Sequence, residues 1–359
     1  MSKIISYGKQ FIDEDDIDSV INVLKSDYLT TGPAVDKFEN ELCEYTGYSH
    51  CSVVSSGTAA LHCAMASLML PVGSEVIVPA ISFVATSNVV IYQGCKPVFC
   101  DIDEDTLLIN VNKIESLINK NTKAIIAMDY AGQRCDYSRI KEICIKYGLV
   151  FILDACHSLG NMVPNEENPE PDIICYSFHP VKHITTGEGG AALTNDDKLH
   201  QRMNSFRNHG RFGLEMIQLG FNYRMPDINA ALGSSQLLSI DDFIEKRRKV
   251  ATKYNFNLDA YIQLEQSNNH VYHLYVVKIK NRNKFIKYMR ENDVLCAVHY
   301  PPIYSQPYYE FNGYGHYKDL CPAAEKIKDL IVSLPIYYSL EDEEQDKVIK
   351  LVNEFMEGK

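Results

Sequence analysis

The sequence predicts an α/β protein, with a mainly parallel central sheet covered by helices and a smaller α+β lobe after it. Three observations carry this expectation. Between residues 51 and 194, short apolar runs alternate with helical stretches. Most of those runs are apolar throughout, as in strands buried on both faces. Past residue 238 the pattern changes to one strand-like run and two helical stretches. A chain of 359 residues is long for one core and favours two packed lobes. The expected division is 1–238 for an N-terminal segment with the large domain, and 239–359 for the small domain.

The elements follow in order. A helix with an acidic start is expected over 15–24, a turn-rich loop over 28–33 and a second helix over 34–45. An apolar run ends at Val54, and Ser56-Gly57-Thr58 separates it from helix-forming residues through Leu68. Strands are expected at 75–78, 97–100, 124–127, 150–153, 173–176 and 190–194, with a helical stretch at 196–206. Residues 161–171, rich in Pro, Asn and Glu, read as a surface loop. Beyond a break at 238–248 come a strand at 273–279 and helices at 283–291 and 341–356.

Three places in this frame carry chemistry. Lys182 lies between the apolar runs 173–176 and 190–194. A lysine on a turn after a buried strand can aim its amine into a cleft and form a Schiff base with an aldehyde. Asp154 ends the run Val150-Phe-Ile-Leu153. That places a carboxylate at the C-terminal edge of a parallel strand, where ligands of open α/β sheets bind. It could hold the proton on a pyridoxal phosphate ring nitrogen, or simply cap a following helix. Ser56-Gly57-Thr58 is a strand-to-helix turn of small residues, which is either an anion site or an ordinary capped helix. Ser177 could add a hydroxyl to the same phosphate.

Composition narrows the classes. The net charge of −12 argues against nonspecific nucleic-acid or membrane-surface binding. Eleven cysteines without a CxxC pair read as reduced thiols in a cytoplasmic setting. The first residues lack a long apolar leader segment, and no run approaches the roughly 20 residues of a membrane span. His179 and His183 are four apart, as two ligands on one helix face would be, but Pro180 between them argues against a helix. No metal is expected.

Taken together, Ser56-Gly57-Thr58-Ala-Ala-Leu, Asp154-Ala-Cys-His157, Ser177-Phe-His-Pro-Val-Lys182 and Ile184-Thr-Thr-Gly-Glu-Gly-Gly190 resemble the DegT/DnrJ-type sugar aminotransferases. Leu29-Thr-Thr-Gly-Pro33, Phe221-Asn222-Tyr-Arg224-Met and Val298-His299-Tyr300-Pro-Pro-Ile-Tyr304 match as well. The likeness runs in order over nearly the whole chain. Phe-His-Pro-Val-Lys182 and Asp129-Tyr-Ala-Gly132 point to the 4-aminotransferases of 4-keto-6-deoxy sugar nucleotides, including the type that forms UDP-4-amino-4,6-dideoxy-N-acetylaltrosamine for pseudaminic acid.

The resemblance implies the aspartate aminotransferase-like fold type I, pyridoxal 5′-phosphate (PLP) as cofactor, L-glutamate as donor and a UDP-linked keto sugar as the favoured acceptor. It implies a homodimer whose active site is shared between subunits. Lys182 and Asp154 match the catalytic positions. Gly57, Thr58, Phe83, His157, Ser177 and Asn222 match cofactor contacts, with Phe83 the aromatic that stacks on the ring and Asn222 reaching the neighbouring subunit's phosphate. His157 stands where members often carry Gln. Thr31, Arg224, His299 and Tyr300 match sugar-nucleotide contacts. One branch of the family is a dehydratase with His in place of the lysine. Counting back from Ile184, the reactive position is Lys182 and His183 is its neighbour. That dehydratase and a non-catalytic PLP-binding regulator remain the alternatives.

Overall fold

The computed structural model describes residues 4–161, 170–267 and 269–358. Most of the expected surface loop at 161–171 lies outside the described residues. In chain order come α1 (Glu14–Leu24), α2 (Pro33–Thr46), β1 (His50–Val54), α3 (Gly57–Ser67), β2 (Glu75–Pro79), α4 (Ala85–Tyr92), β3 (Lys96–Cys100), α5 (Val111–Leu117), β4 (Thr122–Met128) and α6 (Tyr137–Tyr147). Then follow β5 (Val150–Asp154), β6 (Ile173–Ser177), β7 (Gly190–Thr194), α7 (Asp197–Arg207), the short β8 (Arg211–Phe212) and β9 (Glu215–Met216), α8 (Asp227–Leu238) and α9 (Ile240–Asn257). The chain continues with β10 (Tyr275–Lys278), α10 (Arg282–Glu291), α11 (Pro307–Phe311), α12 (Pro322–Ile327), β11 (Ile331–Leu334) and α13 (Asp342–Met356).

The central sheet has seven strands in the order β1-β7-β6-β5-β4-β2-β3. The β3, β2, β4, β5 and β6 neighbours pair in parallel, and β7 runs antiparallel to both β6 and β1. Alternate strand residues feed two cores, which is why the runs are apolar throughout. Val78, Ile126, Ile152 and Cys175 pack with α3 and α4 residues such as Leu61 and Val89. Ile77, Ile125, Phe151 and Ile174 pack on the other face with Phe38, Ile140 and Ala230. Because β7 is reversed, its first residue meets the carboxyl ends of β1 and β6, and Gly190 pairs with both Val54 and Ser177.

The expected break at 238–248 is a junction between helices. α8 ends at Leu238, and α9 starts at Ile240. α9 serves two cores. Ile240, Phe243 and Ile244 pack with the sheet, whereas Val250, Ala251 and Tyr254 pack with Tyr275, Phe285, Val332 and Val348. Ile5 joins that second cluster. The expected strand at 273–279 is shorter, Tyr275–Lys278. Residues before it are drawn to the turn after β4: Val271 N donates to Gly132 O and Leu274 N to Ala131 O, both at 3.1 Å. Among the described residues, no helix is long and apolar enough to cross a membrane.

Candidate active site

The carboxyl ends of β1, β2, β4, β5 and β6 open on one edge of the sheet, where open α/β sheets bind ligands. A pocket of about 450 Å³ lies there. Its walls include Gly57, Thr58, Phe83, Asp154, His157, Ser177, Lys182, His299 and Tyr300. Nine sequence-identified residues, scattered over more than 240 positions (300 − 57 = 243), therefore meet at one cavity.

Asp154 is the last residue of β5 and is 2% exposed. Turns rather than a helix follow it, so it caps no helix. Its Oδ2 accepts from Thr86 Oγ1 at 2.6 Å, and its Oδ1 accepts from Cys156 N at 3.2 Å. The carboxylate takes the Thr86 proton, so Thr86 Oγ1 must accept from Ser82 Oγ, 2.5 Å away. Ser82, in the bend before α4, and Thr86, in its first turn, are both buried, and the hydroxyl chain runs in one direction toward Asp154. The sequence carries no signal for this pair beyond their i, i+4 spacing.

Lys182 sits in the connection between β6 and β7. That connection folds on itself: Phe178 N donates to Gly189 O, Thr186 N to Phe178 O and Lys182 N to His179 O, at 2.8–3.0 Å. Arg247 of α9, 2% exposed, fastens it from beneath. Its NH2 donates to Val181 O at 3.4 Å, and its NH1 donates to the Tyr272, His273 and Ile336 carbonyls at 3.1–3.3 Å. One buried guanidinium thus ties the lysine loop to the segment before β10. Lys182 Nζ lies 3.3 Å from His273 Nε2. Burial pushes the Lys182 amine down to about 8, and Arg247 adds to the shift, while Cys156 and Asp154 oppose it. Burial first, and the neighbouring Lys182 charge second, push His157 and His273 well below the usual range and His299 to about 4.

The neighbouring His183 takes a different direction. Its Nε2 donates to the Val271 carbonyl at 2.8 Å, which fixes the tautomer and keeps the ring out of the pocket wall. His157 Nδ1 accepts from Ala131 N at 3.2 Å, so its proton is on Nε2 and points to Tyr300 Oη at 3.2 Å. Tyr300 also meets Phe83, with ring centroids 5.7 Å apart. Phe83 is 47% exposed and stands in the pocket wall rather than in the core.

The residues fit a phosphorylated pyridine aldehyde. Ser56 Oγ caps α3 by accepting from Ala59 N at 3.1 Å. The Gly57 and Thr58 N–H groups, in the first turn of α3, have no intrahelical acceptor and form an anion cradle. The cradle is closely built. A Cβ on Gly57 would lie 2.7 Å from Ser177 Cβ, and one on Gly190 would lie 2.5 Å from Ser56 O. An aromatic face, a buried carboxylate and a buried amine complete the set.

Three sequence-identified residues lie elsewhere. Thr31 and Arg224 line a second cleft of about 390 Å³ together with His200, Arg207 and Arg211. Arg224 NH1 donates to Asn208 Oδ1 at 2.7 Å. Asn222 is exposed and bridges Asn208 through the backbone. Phe212 of the β8–β9 hairpin lines this cleft, and Met216 on β9 and Leu219 after it are also exposed. His273 and Arg247 went unnoticed in the sequence, since a histidine and an arginine in a strand-like run and a helix stand for no particular chemistry.

Comparison with known proteins finds similar chains over nearly the whole length. A model of the DegT/DnrJ/EryC1/StrS aminotransferase family matches residues 10–353. An uncharacterised protein of Methanocaldococcus jannaschii is 35% identical, over 95% of this chain and 94% of its own. The structure superposes on Helicobacter pylori PseC, an aminotransferase of pseudaminic acid biosynthesis, with a TM-score of 0.90 and 31% identity over 99% of this chain and 100% of that one. It superposes on Bacillus subtilis NtdA with bound pyridoxamine phosphate at a TM-score of 0.89, with 30% identity over 96% of this chain and 83% of that one.

Proposed function

The chain belongs to the DegT/DnrJ/EryC1/StrS aminotransferase family, and from that premise we propose that it moves an amino group from L-glutamate to the C4 keto group of a nucleotide-linked 4-keto-6-deoxyhexose, UDP-linked by preference. It is a PLP-dependent sugar aminotransferase of fold type I. The observation that carries the PLP chemistry is the meeting of the Lys182 amine, the Asp154 carboxylate and the Phe83 ring in one pocket, and the likeness to PseC supports the sugar acceptor.

PLP bound there supplies an electron sink for the carbon bearing the amino group. The residues divide the remaining work. Gly57, Thr58 and Ser177 hold the phosphate, and Phe83 covers the ring. Asp154, fixed by Thr86, keeps the proton on the ring nitrogen. Lys182 Nζ anchors the cofactor, takes the proton from the α-carbon of the amino donor and, in the second half-reaction, returns a proton to C4 of the sugar. A base whose neutral form is reached near pH 8 suits that task better than an exposed lysine. His183 faces the Val271 carbonyl, which favours amino transfer over the dehydratase alternative. The lobes we propose, 1–238 and 239–359, place α9 with the smaller one.

The substrate assignment is tested by turnover against a panel of UDP-, dTDP- and GDP-linked 4-keto-6-deoxyhexoses with glutamate. Amination of the UDP sugar is expected. Activity confined to free keto acids would reject a sugar-nucleotide acceptor.

The second cleft has its place in a homodimer. In this proposal Asn222, Thr31 and Arg224 serve the partner's pocket, with Asn222 reaching its phosphate and Thr31, Arg224, His299 and Tyr300 holding the sugar nucleotide. Lys182→Ala and Asn222→Ala proteins, unfolded and refolded together, should then regain about a quarter of wild-type activity. Half the dimers are hybrids by random twofold pairing, and each has one intact site. Were both residues to serve the same chain's pocket, confirmed hybrids would show no gain over the average of the two variants.

A further inference from the structure

His273 lines the pocket, and the reaction scheme above gives it no task. It is 4% exposed and lies just before β10, far from Lys182 in sequence. Its Nε2 is 3.3 Å from Lys182 Nζ, and its Nδ1 is buried without a hydrogen-bond partner among the described residues. The backbone around it is fixed, because its carbonyl accepts from Arg247 NH1 at 3.3 Å. The ring is fixed as well, against His157 at 4.2 Å between centroids and His183 at 6.0 Å.

The unpaired nitrogen decides the tautomer. A neutral imidazole carries one proton and one lone pair. With the proton on Nδ1, a buried N–H would face no acceptor, which proteins rarely leave unmade. With the proton on Nε2, that N–H points at Lys182 Nζ, and only a bare lone pair is left unpaired. An Nε2–H donor can bond a neutral amine through the amine's lone pair. It cannot bond an ammonium, which has donors only.

Resting on the reading of Lys182 as the cofactor lysine, we propose that His273 is a positioning residue. Its Nε2–H donates to the lone pair of the released Lys182 amine, which disfavours the ammonium and fixes where the amine rests between its proton transfers. The other charged or titratable groups about Lys182 are Asp154 at the end of β5, Cys156 and His157 after it, His179, His183 and Glu188 in the same loop, Tyr7, His299 and Tyr300 in the pocket wall and Arg247 on α9. Asp154 and Cys156 favour the ammonium, whereas Arg247 disfavours it. All of them remain when His273 is replaced, so the substitution isolates its share.

The measurement needs no turnover. Cofactor-free protein is labelled with a trace of acetic anhydride across a pH series, and the Lys182 peptide is quantified by mass. The wild-type midpoint is expected near 8. In His273→Phe it should rise by about one unit, a tenfold drop in labelling below the midpoint. His273→Gln, whose amide N–H can take the place of Nε2–H, should return it toward the wild-type value. Thermal unfolding confirms that each variant is folded, and His273→Leu replaces the phenylalanine variant if that one is not. An unchanged or lowered midpoint would overturn the proposal, and so would a glutamine variant that behaves like phenylalanine. Borohydride reduction of the cofactor-loaded wild type runs in parallel. A label on another lysine would reject the cofactor assignment without touching the midpoint shift, so the two failures are distinguishable.

Discussion

Lys182→Ala should lose at least about 10²–10⁴-fold in turnover, the scale of one general acid–base group, and with it the covalent hold on the cofactor. Wild-type protein reduced with borohydride should carry the label on the Lys182 peptide alone, and the alanine variant should carry none. The expectation follows from burial. The amine lies inside the pocket, its loop is closed by the Phe178–Gly189 and Phe178–Thr186 hydrogen bonds, and Arg247 pins the backbone at Val181. No flexible neighbour can be substituted for a side chain held that way. A label on any other lysine, or no visible chromophore with PLP supplied, would sink the assignment.

The second large effect is expected at Asp154. Asp154→Asn keeps the size, and its amide oxygen can still accept from Thr86 Oγ1, so the pocket should keep its shape and still bind PLP. The charge is removed, together with the 3.2 Å bond from Cys156 N, which an amide NH2 cannot accept. Both half-reactions should slow by about 10²–10³-fold, the scale of losing one preorganised electrostatic partner. Stopped-flow absorbance with glutamate alone measures the first half-reaction apart from the sugar. Near-normal rates would reduce Asp154 to an anchor for the turn at Cys156.

The sheet was readable because its strands are buried on both faces, so that most of its runs are apolar along nearly their whole length. Val150 to Asp154 is the clearest case, with four apolar positions and then the carboxylate. Asp154, Gly57 and Lys182 were readable from their places at strand ends: Asp154 closes β5, Gly57 opens α3 after β1, and Lys182 lies in the connection after β6. Residues that act from a distance were not. Thr86 approaches Asp154 across 68 positions and His273 approaches Lys182 across 91. A hydroxyl in an apolar helix and a histidine before a strand have ordinary core explanations, and only packing distinguishes them. The strand expected from 273 begins at Tyr275 for a related reason. Val271 and Leu274 spend their amides on the turn at Ala131 and Gly132, a choice that local sequence does not encode.

The pocket wall draws on residues from Tyr7 to Tyr300, and the chain's first described residues are stitched to the far side of the small lobe. Ile5 N donates to Asp293 O, Leu295 N to Ile5 O and Ile336 N to Tyr7 O. Contacts of such long separation form late, after the loop entropy between them has been met. A nascent chain therefore completes its sheet, and the cofactor contacts at its edge, before Tyr7, His273, His299 and Tyr300 close the pocket. Whatever binds there binds the finished fold more tightly than its precursors. At a concentration a hundredfold above its dissociation constant, such a ligand deepens the native well by about 2.7 kcal/mol. Vitamin B6 supply would then govern how much of this protein survives to work as well as how fast it works, and starvation for the vitamin should show first as faster proteolysis.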